Sequence, residues 1–504
     1  MNQIKKGALL SYINIFLTNT IGLILTPFIV KSLGDSEYGL YTLIGAFVGY
    51  IAIMDLGLNN TIVRYVSKYR ALEDKESEEN FLGTSFIIYG VISFFVVIVG
   101  SIFYFNLENI FSSSLNPEEI KKAKLMTLIL IFNLAITLPG GAFTAISNAY
   151  EKFVFPRALA NIKYILRSIL VILILYLGAD SIGLVILDTF INVLTIIATF
   201  IYIKKYIKVK FKFQFPQKTM LYEIFSYSVW IFIFAIIGQI QWKGGQFIIG
   251  TNLGTKEVAV YAIGILLGSY YGAFSGALSN LFLPRATQMV VHSATNIQLT
   301  HSLIKIGRYS LFSLLLIFIG FVALGKEFII LWVGETYLDA YYIAIIIMVG
   351  YTIPLSQTFA NSLLEAKKLF KFKTLVYFTS LFIGTLISFY YVKKNGIIGV
   401  ISCIVISWLI SQIVMNIFYI KILKLDIKQF FIKSLKDFIP PLISTSIASL
   451  FIIYIPIDGW IGLTVKGILI VISYILSLIF LTMNEEEKQI LNKILKTKNG
   501  IKIK

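Results

Sequence analysis

The chain has 504 residues; 57% are hydrophobic and only 14% are charged, with 44 Lys and Arg against 26 Asp and Glu. So little charge over such a length excludes a soluble globular protein, and the placement of the +18 net charge argues against nucleic-acid binding. One Cys and two His leave no disulfide, no Cys-based metal site and little scope for hydrolytic catalysis.

Apolar runs near the ~20 residues that cross hydrocarbon follow one another along the chain. They fall at about 8–30, 41–63, 81–105, 125–149, 156–178, 182–203, 224–250, 257–283, 303–325, 340–364, 370–391, 396–420, 438–457 and 461–482. This predicts an all-α polytopic membrane protein with about fourteen transmembrane helices. The first run is too long for a cleaved signal peptide, and Asn14, Asn19 and Thr20 interrupt it. If the spans alternate from a cytoplasmic N-terminus, inner segments hold about 31 of the 44 Lys and Arg, and outer loops about 8. Lys5, Lys6, the runs Lys204–Lys218 and Lys421–Lys436, and the tail Lys488–Lys504 carry that bias. Both termini are therefore expected in the cytoplasm. Lys121, Lys122 and Lys124 fall on the outer side against the trend. Asn116-Pro117-Glu118-Glu119 before them reads as a helix start, with Asn as cap and Pro at the first position. His292 and His301 share an inner loop and read as surface residues, while Cys403 lies within a span.

An internal repeat organises these spans. Leu33-Gly34-Asp35-Ser36-Glu37-Tyr38-Gly39-Leu40-Tyr41 follows the first, and Leu253-Gly254-Thr255-Lys256-Glu257-Val258-Ala259-Val260-Tyr261 follows the seventh. Thr137-Leu138-Pro139 in span four is echoed by Thr352-Ile353-Pro354 in span ten. Six spans per copy give both halves the same orientation, a parallel repeat. The expected domains are an N-lobe at 1–203, a basic linker at 204–223, a C-lobe at 224–420, two extra spans at 421–482 and a basic tail at 483–504. Pro139 and Pro354 lie inside their helices as paired hinges, opened carbonyls or tolerated kinks.

Leu33-Gly34…Tyr38-Gly39-Leu40-Tyr41, then Asp55-Leu56-Gly57-Leu58-Asn59-Asn60 with Arg64-Tyr65, and the fourteen-span layout resemble one family in particular. These are the oligosaccharide-lipid flippases of the MATE/MOP transporter superfamily, of the O-antigen and capsule repeat-unit exporter type. The resemblance implies a transporter and not an enzyme, with no catalytic residues and no metal. It implies a substrate that is a polyprenyl-diphosphate-linked oligosaccharide moved by alternating access for capsule, O-antigen or teichoic-acid synthesis. Partners would be the bilayer and other polysaccharide-assembly membrane proteins, not nucleic acid.

A charged residue at the centre of a span costs about 2.5–3.5 kcal/mol on insertion scales, so each is a functional candidate. Gln239, Lys243 and Gln246 share one face of span seven, with Trp242 beside them and Gly244-Gly245 permitting close approach. That face is expected to line a polar cavity and bind diphosphate or sugar; a structural pairing of Lys243 with a carboxylate is the plain alternative. Lys163 and Arg167 sit four apart in span five and would repel unless an anion, the diphosphate, joined them; snorkelling to the inner interface is the plain alternative. Arg64 closes span two and completes the substrate-binding set. Asp55 and Asp188 are candidates for Na+ or H+ coupling, or for pairing with the basic residues; no other cofactor is expected. Arg64, Arg285, Arg308 and Lys466 lie near span ends, where snorkelling to the interface would explain them. Gly268, Gly272 and Gly276 recur at every fourth position of span eight as a helix-packing stripe.

No G-x-x-x-x-G-K-[ST] loop is present to hydrolyse a nucleotide. The rival readings are a MATE-type multidrug or cation antiporter, a membrane-embedded glycosyltransferase or polysaccharide polymerase, and an uncoupled scramblase. The first needs carboxylates facing its ligand; the second needs a long outer loop with a catalytic set, and the loop at 106–124 is short.

Overall fold

The computed structural model describes residues 3–55, 57–213, 218–367 and 369–489, with the backbone alone at 4, 5, 218–231, 234 and 274–285. All the regular structure among the described residues is helical, without strands. In chain order the helices are α1 (Gln3–Leu33), α2 (Asp35–Ala52), α3 (Leu58–Ala71), α4 (Lys75–Phe111), α5 (Pro117–Ala149), α6 (Val154–Tyr176), α7 (Ser181–Tyr202) and α8 (Lys218–Asn252). They continue as α9 (Thr255–Val291), α10 (Asn296–Trp332), α11 (Asp339–Ser356), α12 (Thr358–Ala366), α13 (Phe370–Lys421), α14 (Ile427–Phe430), α15 (Ile439–Ile453) and α16 (Gly459–Leu481). Among the described residues, 11 helices are long and apolar enough to cross a membrane. One of them, α13, holds two of the predicted spans, divided at Gly396 by a backbone that leaves helical geometry (φ +58°). The chain is a multi-pass helical membrane protein.

Two compact units form, one from Met1–Ala262 with Tyr377–Ile404, the other from Ile263–Val376 with Val405–Lys504. They follow packing and not chain order, and so divide the chain differently from the repeat lobes at 1–203 and 224–420.

In the first unit the helix starts obey local chemistry. Asn116 accepts from the Glu119 N–H at 2.9 Å, while Glu119 accepts from the Asn116 N–H at 3.0 Å, with Pro117 at the first position. Asp180 likewise caps α7 through the N–H groups of Ile182 and Gly183. Gly34 and Gly254, matched in the repeat, both take positive φ (+77° and +106°) just before a helix. A side chain there would be strained, which is why glycine recurs. Two of the three lysines that oppose the charge bias are met by carboxylates. Lys122 lies 2.9 Å from Glu37 and 3.3 Å from Asp180, and Lys124 lies 2.8 Å from Glu108. At this end Gly39 is packed against the backbone of Thr255 so closely that a Cβ would overlap its carbonyl. Thr255 donates to Glu119 at 2.7 Å, and Ser114 to the Gly250 carbonyl at 2.7 Å.

Span two is interrupted. After α2 the chain makes a 3-10 turn at Ile53–Asp55, passes through Gly57 (φ +70°), and restarts as α3. The Asp55 carboxylate accepts from the Tyr89 hydroxyl at 3.0 Å and the Asn59 amide at 3.2 Å, and from the backbone N–H groups of Gly57 and Asn59. It thereby occupies the orphan donors of the restarted helix. Pro139 lies inside α5 and offers no N–H to the Ala135 carbonyl; Ser93 of α4 donates to that oxygen at 2.8 Å instead.

In the second unit, Pro354 stands two residues before the end of α11, and α12 restarts after Gln357. Here two sequence expectations are corrected. Arg308 does not snorkel: its side chain is 5% exposed and donates to Glu487 (2.7 and 2.9 Å), Asp437 (2.8 Å) and the carbonyls of Lys433 and Thr482. Lys466 is 6% exposed and pairs with Glu327 at 3.2 Å. Both are buried because a carboxylate from another helix or the tail meets them, which position relative to a span end does not reveal. Arg285 lies where side chains fall outside the described residues.

Candidate functional site

Helices α6 and α7 form an antiparallel hairpin about the turn at Gly178 (φ +86°). Register across the hairpin places Arg167 opposite Asp188 and Lys163 opposite Asn192. Arg167 grips Asp188 with two bonds, Nε to Oδ1 at 2.5 Å and Nη2 to Oδ2 at 2.9 Å. Tyr41 of α2 donates to Asp188 Oδ2 at 3.2 Å and lies 3.3 Å from Arg167 Nη2. Arg167 and Asp188 are 23% and 25% exposed, so solvent screens the pair little. Lys163 donates to Asn192 Oδ1 at 2.9 Å; the Asn192 amide passes to Asn133 at 2.7 Å and to Thr137. The two cations do not face each other bare. Asp188 fills the guanidinium fork, and a polar network that reaches Thr137, two residues before Pro139, holds the ammonium.

Lys243 of α8 stands in a different setting. It is half-buried, and among the described residues no carboxylate or hydrogen-bond acceptor pairs with it. Gln239, one turn earlier, lies beside Gly49 of α2, and Tyr50 donates to the Gln239 carbonyl at 3.3 Å. Phe247 packs between Phe47 of α2 and Phe389 of α13, with centroid distances of 4.9 and 6.2 Å. Gly244 faces Tyr50 and Thr385, and Gly245 leaves room that the Tyr261 ring occupies. Gln246 is 2% exposed; its Oε1 and the Tyr261 hydroxyl are buried without hydrogen-bond partners among the described residues. An unmatched cation, a buried amide oxygen and a buried phenol thus gather around one stretch of α8. Left unmatched, such groups each cost about 1–3 kcal/mol.

The other candidates are dispersed. Trp242 neighbours Lys243 and is half-buried. Arg64 is exposed on α3, its guanidinium 5.8 Å from the Tyr65 ring centroid. Gly268 packs against Ile347 of α11 so tightly that a Cβ would lie 2.7 Å from its side chain, whereas nothing lies within 4 Å of a Cβ at Gly272. The surroundings of Gly276 lie outside the described residues. His292 and His301 are exposed.

Sequence reasoning missed Tyr41, Asn192, Asn133 and Tyr261. Tyr41 and Tyr261 are the matched last residues of the repeated motif, and Asn192 follows Asp188 by one helical turn, so three of the four had a signal.

Comparisons with known proteins agree with this architecture. A family model described as polysaccharide biosynthesis protein matches residues 4–275, more than half of the chain. A Shigella flexneri protein described as a candidate O-antigen transporter is 23% identical over 399 residues, covering 77% of this chain and 89% of that one. Among solved structures, the lipid II flippase MurJ in an inward closed conformation superposes with a TM-score of 0.71 at 18% identity, over 94% of this chain and 98% of that one. An inward-facing multidrug resistance MATE transporter of the MOP superfamily gives 0.65 at 14% identity, over 83% and 97%. At these identities the two structures establish the shared fold. The chain belongs to the polysaccharide biosynthesis protein family.

Proposed function

We propose that this protein is a flippase that carries a lipid-linked oligosaccharide from the cytoplasmic to the outer leaflet of a bacterial inner membrane for cell-surface polysaccharide synthesis. It acts as a transporter and not as a catalyst. The candidate O-antigen transporter and the lipid II flippase support the substrate class. The observation that carries the reading at the level of residues is Lys243, a cation in a membrane helix with no carboxylate partner among the described residues.

A glycan headgroup cannot enter hydrocarbon, because each unpaired hydroxyl costs several kcal/mol. A polar face inside the protein removes that cost while the polyprenyl tail stays in lipid. Lys243 engages the diphosphate as a point charge, and Gln239, Gln246 and Trp242 meet the adjoining sugar. The two six-span halves rock about this face, with Pro139, Pro354 and the glycines of span eight permitting the movement. Arg167 and Lys163 contribute to the anion only in a state where Asp188 and Asn192 release them, and Arg64 lies on the entry route. Membrane potential suffices to drive export, since one charge moved through 100 mV is worth about 2.3 kcal/mol and a diphosphate carries two. Na+ or H+ antiport through Asp55 or Asp188 would add to this; unchanged transport and ion dependence in the Asp55→Asn/Asp188→Asn protein would remove it. Both termini face the cytoplasm, where other polysaccharide-assembly membrane proteins supply the substrate.

A cation or drug antiporter on the same fold is disfavoured, because the unmatched charge at α8 has the sign that repels cations. The deciding experiment is the lipid-linked glycan profile of a strain depleted of this protein. Accumulation of a diphosphate-linked oligosaccharide on the cytoplasmic leaflet is expected. An unchanged profile with increased retention of cationic dyes would overturn the reading.

A further inference from the structure

The segment after α7 is a docked strap. A π-turn at Ile203–Ile207 ends α7, Lys208 takes a left-handed conformation (φ +60°), and the chain then runs without helix or strand to Phe213. Three contacts fix it on α4. The Lys212 N–H donates to the Glu79 carbonyl at 3.1 Å, its ammonium lies 2.8 Å from Glu76, and Gly83 approaches the Lys212 carbonyl where a Cβ would overlap it. Phe211 packs edge-on against Phe86 at 5.0 Å, and Ile207 and Val209 join the same apolar cluster. Beyond the turn burial alternates, with Val209 and Phe211 half-buried and Lys208 and Lys210 exposed on the other side. Lys204, Lys205, Lys208 and Lys210 are all exposed, and none of them forms an ion pair among the described residues. At the same level Phe155 stacks on Tyr202 at 3.9 Å, Tyr202 lies 5.4 Å from Tyr206, and Tyr206 and Phe213 are largely exposed. Aromatic side chains at a helix end mark the membrane–water boundary. Lys208 and Lys210 also line a polar basin of about 710 Å³ with Arg70, Lys75, Glu73 and Glu79.

We infer that this strap binds the headgroup of an anionic glycerophospholipid in the leaflet at its end of the first unit. The lysines and Arg70 take the phosphate, the carboxylates of the basin accept the glycerol hydroxyls, and the aromatic residues sit at the acyl boundary. The rigid backbone matters: a disordered polybasic linker would attract any anionic surface, whereas a docked one holds its charges at fixed spacing and retains particular lipids. The inference needs only the membrane setting and stands apart from the transport reading.

The test uses the full chain in nanodiscs of equal parts phosphatidylcholine and phosphatidylglycerol, with phosphatidylglycerol the spin-labelled probe. The wild type should immobilise phosphatidylglycerol in preference to phosphatidylcholine, and high salt should abolish the preference. Lys204→Gln/Lys205→Gln/Lys208→Gln/Lys210→Gln should lower the immobilised fraction about tenfold. Lys421→Gln/Lys424→Gln/Lys428→Gln/Lys433→Gln, which removes as much charge elsewhere, should leave it unchanged. Equal losses in the two variants would reduce the effect to net charge and overturn the site. A wild type without preference would overturn it irrespective of how the variants fold.

Discussion

Arg167 and Lys243 are both cations carried by membrane helices of the same compact unit, yet the protein treats them in opposite ways. Arg167 is clamped by Asp188 with two bonds and a third group, Tyr41, closes the cluster. Among the described residues Lys243 has no carboxylate partner, and the buried amide oxygen of Gln246 and hydroxyl of Tyr261 have no hydrogen-bond partner. The first arrangement holds three helices in register. On the proposed reading, the second leaves free energy that an anion with hydroxyls would recover. An intramembrane charge is therefore informative about function only once its partners are known.

Breaking the paired region should have the largest effect on the fold. Asp188→Asn strands Arg167, and we expect a loss of about 2–4 kcal/mol, seen as a lower midpoint in detergent unfolding. Adding Arg167→Gln should restore most of it; no restoration would mean that Asp188 acts through something other than Arg167. Breaking the unpaired region should do the reverse. Lys243→Gln should leave the unfolding midpoint at or above wild type while transport into vesicles falls about 10–100-fold, the worth of one charge-assisted hydrogen bond. A destabilised Lys243→Gln protein would reveal a structural partner and erase the contrast. A subtler test concerns Pro139: Ser93→Ala removes the donor to the freed Ala135 carbonyl and should cost about 1 kcal/mol in unfolding. A smaller loss there would mean that the carbonyl is open to water and the kink belongs to the transport path.

Much of this was legible beforehand. Span positions and the helix start at Asn116 follow from local rules that act within a few residues. The Arg167–Asp188 pair was legible too: the two residues are nearly equidistant from the turn at Gly178, and an antiparallel hairpin must bring them level. The fates of Arg308 and Lys466 were not. Their partners, Glu487 and Glu327, lie 179 and 139 positions away in the chain, and nothing local marks such a contact. The break of span two at Asp55 was half visible, since Gly57 signals a turn while the apolar run around it signals continuity.

The central claim is that the unpaired cation of α8, and not the paired cluster of α6 and α7, holds the substrate diphosphate. The most direct measurement is the affinity of the purified full chain for a short-chain polyprenyl diphosphate, comparing Lys243→Gln with the charge-neutral Arg167→Gln/Asp188→Asn protein. The account predicts a loss of about tenfold or more for Lys243→Gln and near wild-type affinity for the double variant. Full affinity in Lys243→Gln, with loss in the double variant, would contradict it.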